Sequence, residues 1–283
     1  MSFFTEATAR AVQAVLFWLP GRLAQVIAVA VCLCGAMRTF MQIFDVKFCA
    51  VIPARYAASR FPAKLLQPLQ GKPVIVHTYL NTVATQVFDE VVVVTDSQAI
   101  GEVVQAAGGR VQYSQHVHDS GTERIAEIAP ALAADVLVNV QGDEPFVQRE
   151  PLAAICAAFS DAQVQIASLM HELPAADAAN SNAVKVVCNL AHDALYFSRS
   201  AIPFIRDAES GATFYKHIGV YAYRKEILLQ LAQLPPTVLE QAEKLEQLRW
   251  LQHGYRIRML PTDAWSISID TPADLERAQR LLL

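Results

Sequence analysis

Apolar residues in this chain arrive in short continuous runs, separated by stretches of helical period. Residues 48–52 (FCAVI) rise directly out of Lys47, and the runs at 90–95 (EVVVVT) and 135–140 (DVLVNV) have the same unbroken character. A shorter run lies at 110–113. Runs of this kind suit strands buried on both faces of a parallel sheet. Helices are predicted between them: 73–87 opened by Pro73, 97–107 capped by Asp96 and closed by Gly108-Gly109, and 120 to about 132. Strands alternating with helices at this spacing predict a parallel sheet with right-handed crossovers.

After a helix at 150–159 the rhythm changes. Strands predicted at 164–170, 184–188, 194–198 and 218–223 have fewer helices between them, so this portion is expected to be mixed or antiparallel. A helical pair over 238–253, a strand at 256–260, a short run at 266–269 and a helix from Thr271-Pro272 follow. With no linker or internal repeat after residue 46, the fold class is α/β: one domain over 47–283 with an inserted, partly antiparallel portion.

Residues 1–46 stand apart as an apolar extension. Two apolar runs within 11–37 are interrupted by Pro20-Gly21-Arg22, and neither reaches the roughly 20 residues a bilayer core requires. Three readings stay open: membrane contact through 11–37, an amphipathic interaction segment, or upstream sequence outside the working protein. Met41, just before the first strand, favours the last.

Charge narrows the function. With a net charge of −4 nothing suggests a general nucleic-acid binder, so any anion site must be a local cation cluster. Such a cluster follows the first strand, where Pro53 opens a loop carrying Arg55, Ser59, Arg60 and Lys64. The carboxyl edge of an open α/β sheet is where ligands bind, and this composition suits a polyphosphate. The loop lacks GxGxxG and Walker A patterns, which excludes the dinucleotide and P-loop readings, and no GxSxG elbow appears. Five scattered cysteines form no zinc or disulfide spacing and fit a reducing cytoplasm.

Two aspartates stand at other predicted strand ends: Asp143 in QGDEP and Asp270 before the last helix. Alone, one is an ordinary turn residue and the other an acceptable N-cap. Beside a phosphate-binding loop, two carboxylates on one sheet edge suit Mg²⁺, which takes few protein oxygens besides waters and phosphates. SGTER (120–124) opens a helix with Ser120, Gly121 and Thr122, offering N–H groups and hydroxyls, and adds Arg124; Ser120 and Glu123 also have capping-box spacing. His217 and Tyr221 share strand parity and, with Arg199, suit an anion-recognising acceptor site, though a structural histidine and a core tyrosine fit equally. His77, His116, His118, His171, His192 and His253 have no metal-ligand spacing and read as surface or core residues.

From about residue 48 onward the chain resembles the 3-deoxy-manno-octulosonate (Kdo) cytidylyltransferases. The segments IPARYAASRFPAK, SGTER, VNVQGDEP, NAVKVV, ALYFSRSAIP, KHIGVYAYR, EKLEQLRWL and IDTPADLERA carry the resemblance in order and spacing. It implies a Rossmann-like, mostly parallel mixed sheet of nucleotidyltransferase type, and transfer of CMP from CTP to the anomeric hydroxyl of Kdo for lipopolysaccharide assembly. It further implies Arg55, Ser59, Arg60 and Lys64 on the triphosphate, with Lys64, Arg60 and Asp143 catalytic. Ser120, Gly121 and Arg124 would hold the cytidine, and Asp143 and Asp270 the Mg²⁺. Gln141, Arg199, His217, Tyr221, Glu246 and Gln247 would line the Kdo pocket, in a cytoplasmic homodimer.

The chain departs from the family pattern at Ala63 and Ser268, where glycine is usual. Ala63 is expected to restrict the loop to negative φ and so to disturb the placement of Lys64. A CMP-sialic acid synthetase and a non-catalytic nucleotide-binding module are the rival readings; HIGVYAYR and LEQLR favour Kdo over sialic acid.

Overall fold

The fold is built outward from β1 (Phe48–Ala54), whose run from Cys49 to Ile52 is fully buried. In this computed structural model, which describes residues 46–56, 61–118, 120–263 and 268–281, β1 pairs in parallel with β4 (Glu90–Thr95) on one side and β6 (Val136–Asn139) on the other. The expectations for residues 1–45, and for the run at 266–267, lie outside the described residues. β5 (Arg110–Tyr113) continues the parallel part beyond β4. Crossover helices α1 (Val74–Ala84), α2 (Gln98–Ala106) and α3 (Gly121–Ile128) link these strands. A small hairpin of β2 (Pro68–Leu69) and β3 (Lys72–Pro73), absent from the expected pattern, precedes α1.

Beyond β6 and α4 (Arg149–Ala157) the sheet turns mixed, as expected. β10 (Phe214–Arg224) runs antiparallel to both β6 and β7 (Ile166–Leu173), and β11 (Ile257–Pro261) lies parallel to β7 at the edge. β8 (Lys185–Cys188) and β9 (Ala194–Ser198) form an antiparallel flap off β10. Helices α5 (Lys225–Leu231), α6 (Val238–Glu243), α7 (Gln247–Gln252) and α8 (Pro272–Leu281) complete the layers. The predicted helical pair is thus real but broken at Lys244, which adopts φ 54°.

Between Ile218 and Tyr221 three steps along β10 answer one step on β7. Two inserted residues leave the side-chain alternation intact, so His217 and Tyr221 face the same way, with ring centroids 5.2 Å apart. Tyr221 in turn stacks on Tyr223, and both meet the edge of Trp250 from α7. Trp250 is buried, and truncating such a ring to alanine removes roughly 3–5 kcal/mol. This aromatic cluster joins α7 to the centre of the sheet. Burial pushes the thiols of Cys49 and Cys156 up to about 12, in keeping with small core hydrophobes. Among the described residues no helix is long and apolar enough to cross a membrane.

Candidate active site

A cleft opens at the carboxyl ends of β1 and β6. Its walls include Arg55, Lys64, Ser120, Gly121, Arg124, Gln141 and Asp143, all anticipated from sequence. Ser59 and Arg60 lie outside the described residues.

The loop after β6 is held close to β1. A Cβ on Gly142 would stand 3.0 Å from the carbonyl oxygen of Pro53, so a larger residue would push the two segments apart by a few tenths of an ångström. From α1, Thr78 Oγ1 donates to the Gly142 carbonyl at 2.9 Å and Asn81 Nδ2 to that of Pro145 at 2.6 Å. The segment before α8 joins the same loop, because Ile269 N–H donates to the Asp143 carbonyl at 2.9 Å. Thr271 and Asp274 supply the N-terminal bonds of α8: Asp274 Oδ2 accepts from Thr271 N–H at 2.9 Å, and Thr271 Oγ1 accepts from Asp274 N–H at 3.3 Å. The Asp270 carboxylate therefore does not serve as the cap that sequence alone allowed.

Instead, Asp270 Oδ1 accepts from Lys64 Nζ at 2.9 Å, and the same ammonium bonds Asp143 Oδ2. Burial pushes the Lys64 ammonium down, but the paired carboxylates outweigh it and hold it above its ordinary value. Two carboxylates from distant segments thus converge on one cation. Next to them, burial and the charges of Asp143 and Asp270 raise Glu144 to about 8 against the opposing pull of Lys216. Sequence reading passed over Glu144, whose neighbours are contributed by distant segments.

Ala63 overturns the expectation made for it. It adopts φ 53° and ψ 29° at the start of the turn that carries Lys64. The left-handed conformation is kept despite the Cβ, at a cost of about 1–2 kcal/mol, and Lys64 still reaches both aspartates.

α3 opens as expected, with Ser120 Oγ accepting from Glu123 N–H at 3.1 Å. The same hydroxyl donates to Glu246 Oε1 at 2.9 Å, and Thr122 Oγ1 donates to Glu246 Oε2 at 2.8 Å. SGTER is therefore more than a cap. Burial pushes the Glu246 carboxyl up, against these two hydrogen bonds. Arg124 is buried, its guanidinium donating to Ser114 Oγ at 2.7 Å and Asp96 Oδ2 at 2.9 Å. Asp96 is thus the partner of Arg124, and the cap of α2 is Ser97, which accepts from Ile100 N–H.

The remaining predicted residues lie on the β10 side. Ser168 Oγ donates to the Val220 carbonyl at 2.8 Å, and with its single proton so committed it accepts from His217 Nε2–H at 3.0 Å. Burial first, then Lys216, pushes the His217 imidazole down to about 3. The buried Tyr221 hydroxyl has no hydrogen-bond partner among the described residues, and Tyr221 stands outside the cleft lining. Arg199 does not line the cleft. Its guanidinium donates to the carbonyls of Glu243 at 2.7 Å and Ser181 at 3.1 Å. Its own carbonyl accepts from the buried Lys185 ammonium. Gln247, the first residue of α7, is buried and also stands outside the cleft lining. His118, read from sequence as a surface or core residue, lines the cleft.

A family model described as cytidylyltransferase matches residues 49–257. The chain belongs to the cytidylyltransferase family. This cytidylyltransferase is 49% identical over 240 residues to the 3-deoxy-manno-octulosonate cytidylyltransferase of Flavobacterium johnsoniae, covering 83% of this chain and 98% of that protein. It is 47% identical to the protein of the same name from Bacteroides thetaiotaomicron, over 83% and 98% of the two chains. The solved structure of a CMP:2-keto-3-deoxy-manno-octonic acid synthetase complexed with CTP superposes with a TM-score of 0.80 at 42% identity, covering 83% of this chain and 98% of that one. A glucose-1-phosphate thymidylyltransferase from Bacillus anthracis shares the fold at 17% identity and a TM-score of 0.58.

Proposed function

We propose that this cytidylyltransferase transfers CMP from CTP to the anomeric hydroxyl of 3-deoxy-manno-octulosonate, releasing pyrophosphate and supplying an activated sugar for lipopolysaccharide assembly. The observation that carries the substrate assignment is 49% identity over 98% of a relative of that name. The site chemistry supports it. The anomeric oxygen forms a bond to the α-phosphorus of CTP, the bond from that phosphorus to the β-phosphate oxygen breaks, and the hydroxyl proton leaves to solvent.

Arg55 and Lys64, together with Ser59 and Arg60 from the same loop, neutralise the triphosphate. Ser120, Gly121 and Arg124 hold the cytidine, with Arg124 aimed by Asp96 and Ser114. Gln141, His217, Tyr221, Glu246 and Gln247 form the sugar-acid side, and Arg199 adds positive charge toward the sugar carboxylate. Asp143 and Asp270 fit a divalent cation, because both already share the Lys64 ammonium. Bound there, Mg²⁺ would offset charge on the phosphates and lower the barrier to attack by a weak nucleophile. The catalytic body is 47–283, working as a homodimer in the cytoplasm, where the free cysteines stay reduced.

The test is pyrophosphate release from CTP with Mg²⁺ over a panel of acid sugars. Kdo should be the preferred acceptor. Faster turnover of N-acetylneuraminate would replace the sugar assignment, and no turnover with either would favour a binding module.

A further inference from the structure

One carboxylate gathers three residues of the connection between β5 and α3. Glu127 Oε1 accepts from Gln115 N–H at 2.7 Å and lies 3.1 Å from His116 Nδ1, while Oε2 lies 2.5 Å from His118 Nε2. Burial pushes the Glu127 carboxyl up, but the hydrogen bonds from His118, Gln115 and His116 prevail and bring it to about 2. It is therefore an ionised acceptor throughout the working pH range.

The two imidazoles fare differently. The His116 side chain is 76% exposed, that of His118 only 14%. His118 lines the cleft beside Ser120, Gly121 and Arg124, the segment assigned to the nucleoside. With Nε2–H committed to Glu127, the nitrogen left for a ligand is Nδ1, which accepts a hydrogen bond in the neutral ring. The triphosphate and the O2 and N3 atoms of cytosine have no proton to give. The ribose hydroxyls and the cytosine 4-amino group do.

We propose that His118, oriented by Glu127, binds a ribose hydroxyl of the nucleotide through Nδ1, making His118 a determinant of ribonucleotide over deoxyribonucleotide use. Glu127 is its positioning residue. This rests on the reading of the cleft as the CTP site.

Calorimetric binding of CTP, 2′-deoxy-CTP and 3′-deoxy-CTP at pH 8 without acceptor sugar tests it, on the wild-type chain, His118→Ala, His118→Asn and Glu127→Gln. Wild type should favour CTP over one of the two deoxynucleotides by about tenfold, the value of one good hydrogen bond. That ratio should fall to near one in His118→Ala and partly return in His118→Asn, whose amide oxygen sits close to the Nδ1 position. Glu127→Gln should weaken the ratio with the His118 ring still present. Equal loss for all three nucleotides in both His118 variants, with a native melting curve, would overturn the ribose contact and point to phosphate or base. An undiminished ratio in His118→Ala would overturn any contact. Wild type binding no CTP at all would remove the reading of the cleft itself, a result distinct from either.

Discussion

The N–H of Ile269 donates to the carbonyl oxygen of Asp143 at 2.9 Å, stitching the entrance of α8 to the loop after β6. Through this bond the carboxylates of Asp143 and Asp270 come to share Lys64. A lysine occupying the two carboxylates competes with a divalent cation for them. Lys64→Gln should therefore bind Mn²⁺ more tightly than wild type in the absence of nucleotide, measured by titration calorimetry, yet turn over more slowly with CTP. Asp143→Asn and Asp270→Asn should each lose about 100-fold or more in kcat, on the scale of other transition-state stabilisers, and should weaken Mn²⁺ binding. Unchanged Mn²⁺ affinity in all three variants would detach the metal from this pair.

Ala63 holds φ 53° where glycine would be relaxed. Ala63→Gly relieves about 1–2 kcal/mol of left-handed strain and gives back roughly 0.5–1 kcal/mol in unfolded-chain entropy. Urea denaturation should show a net gain of at most about 1.5 kcal/mol, whereas Ala63→Val should lose stability. A loss in the glycine variant would mean the turn does not need this conformation.

Much of this molecule was legible in its sequence, and the reasons are local. The buried runs at β1, β4 and β6 have no polar alternation, so strand and parallel pairing followed together. What sequence left hidden depends on long-range partners. Asp96 looks like a helix cap until Arg124 folds against it. His118 looks like one of several scattered histidines until Glu127 turns its ring. Ala63 looked incompatible with a left-handed turn because backbone strain is set by the surrounding fold, which here overrides the preference of the residue.

His217 should give stability a distinct acid dependence. Its folded imidazole is pushed from 6.5 down to about 3, so between these values the unfolded chain binds the proton that the folded chain refuses. Stability from this group is complete above about pH 6.5 and falls as the pH drops toward 3, by at most about 1 kcal/mol per pH unit given the partial exposure of the residue. His217→Asn should flatten the slope of unfolding free energy between pH 6.5 and 4.5 relative to wild type. Parallel slopes for the two proteins would show that the ring does not titrate this way.

Glu246 joins the two halves of the proposed site, accepting from Ser120 at 2.9 Å and Thr122 at 2.8 Å at the mouth of α3 while standing at the entrance of α7. The carboxylate is half-buried, so removing either hydroxyl leaves part of it unsatisfied, and removing the charge leaves the hydroxyls without a strong acceptor. Glu246→Gln should raise KM for CTP as well as for Kdo, because the nucleotide segment loses its brace along with the sugar side. In a double-mutant cycle, Glu246→Gln and Ser120→Ala should be non-additive by about 1 kcal/mol or more in kcat/KM for CTP, as expected of directly bonded partners. A cycle closing to zero would place Glu246 with the sugar alone.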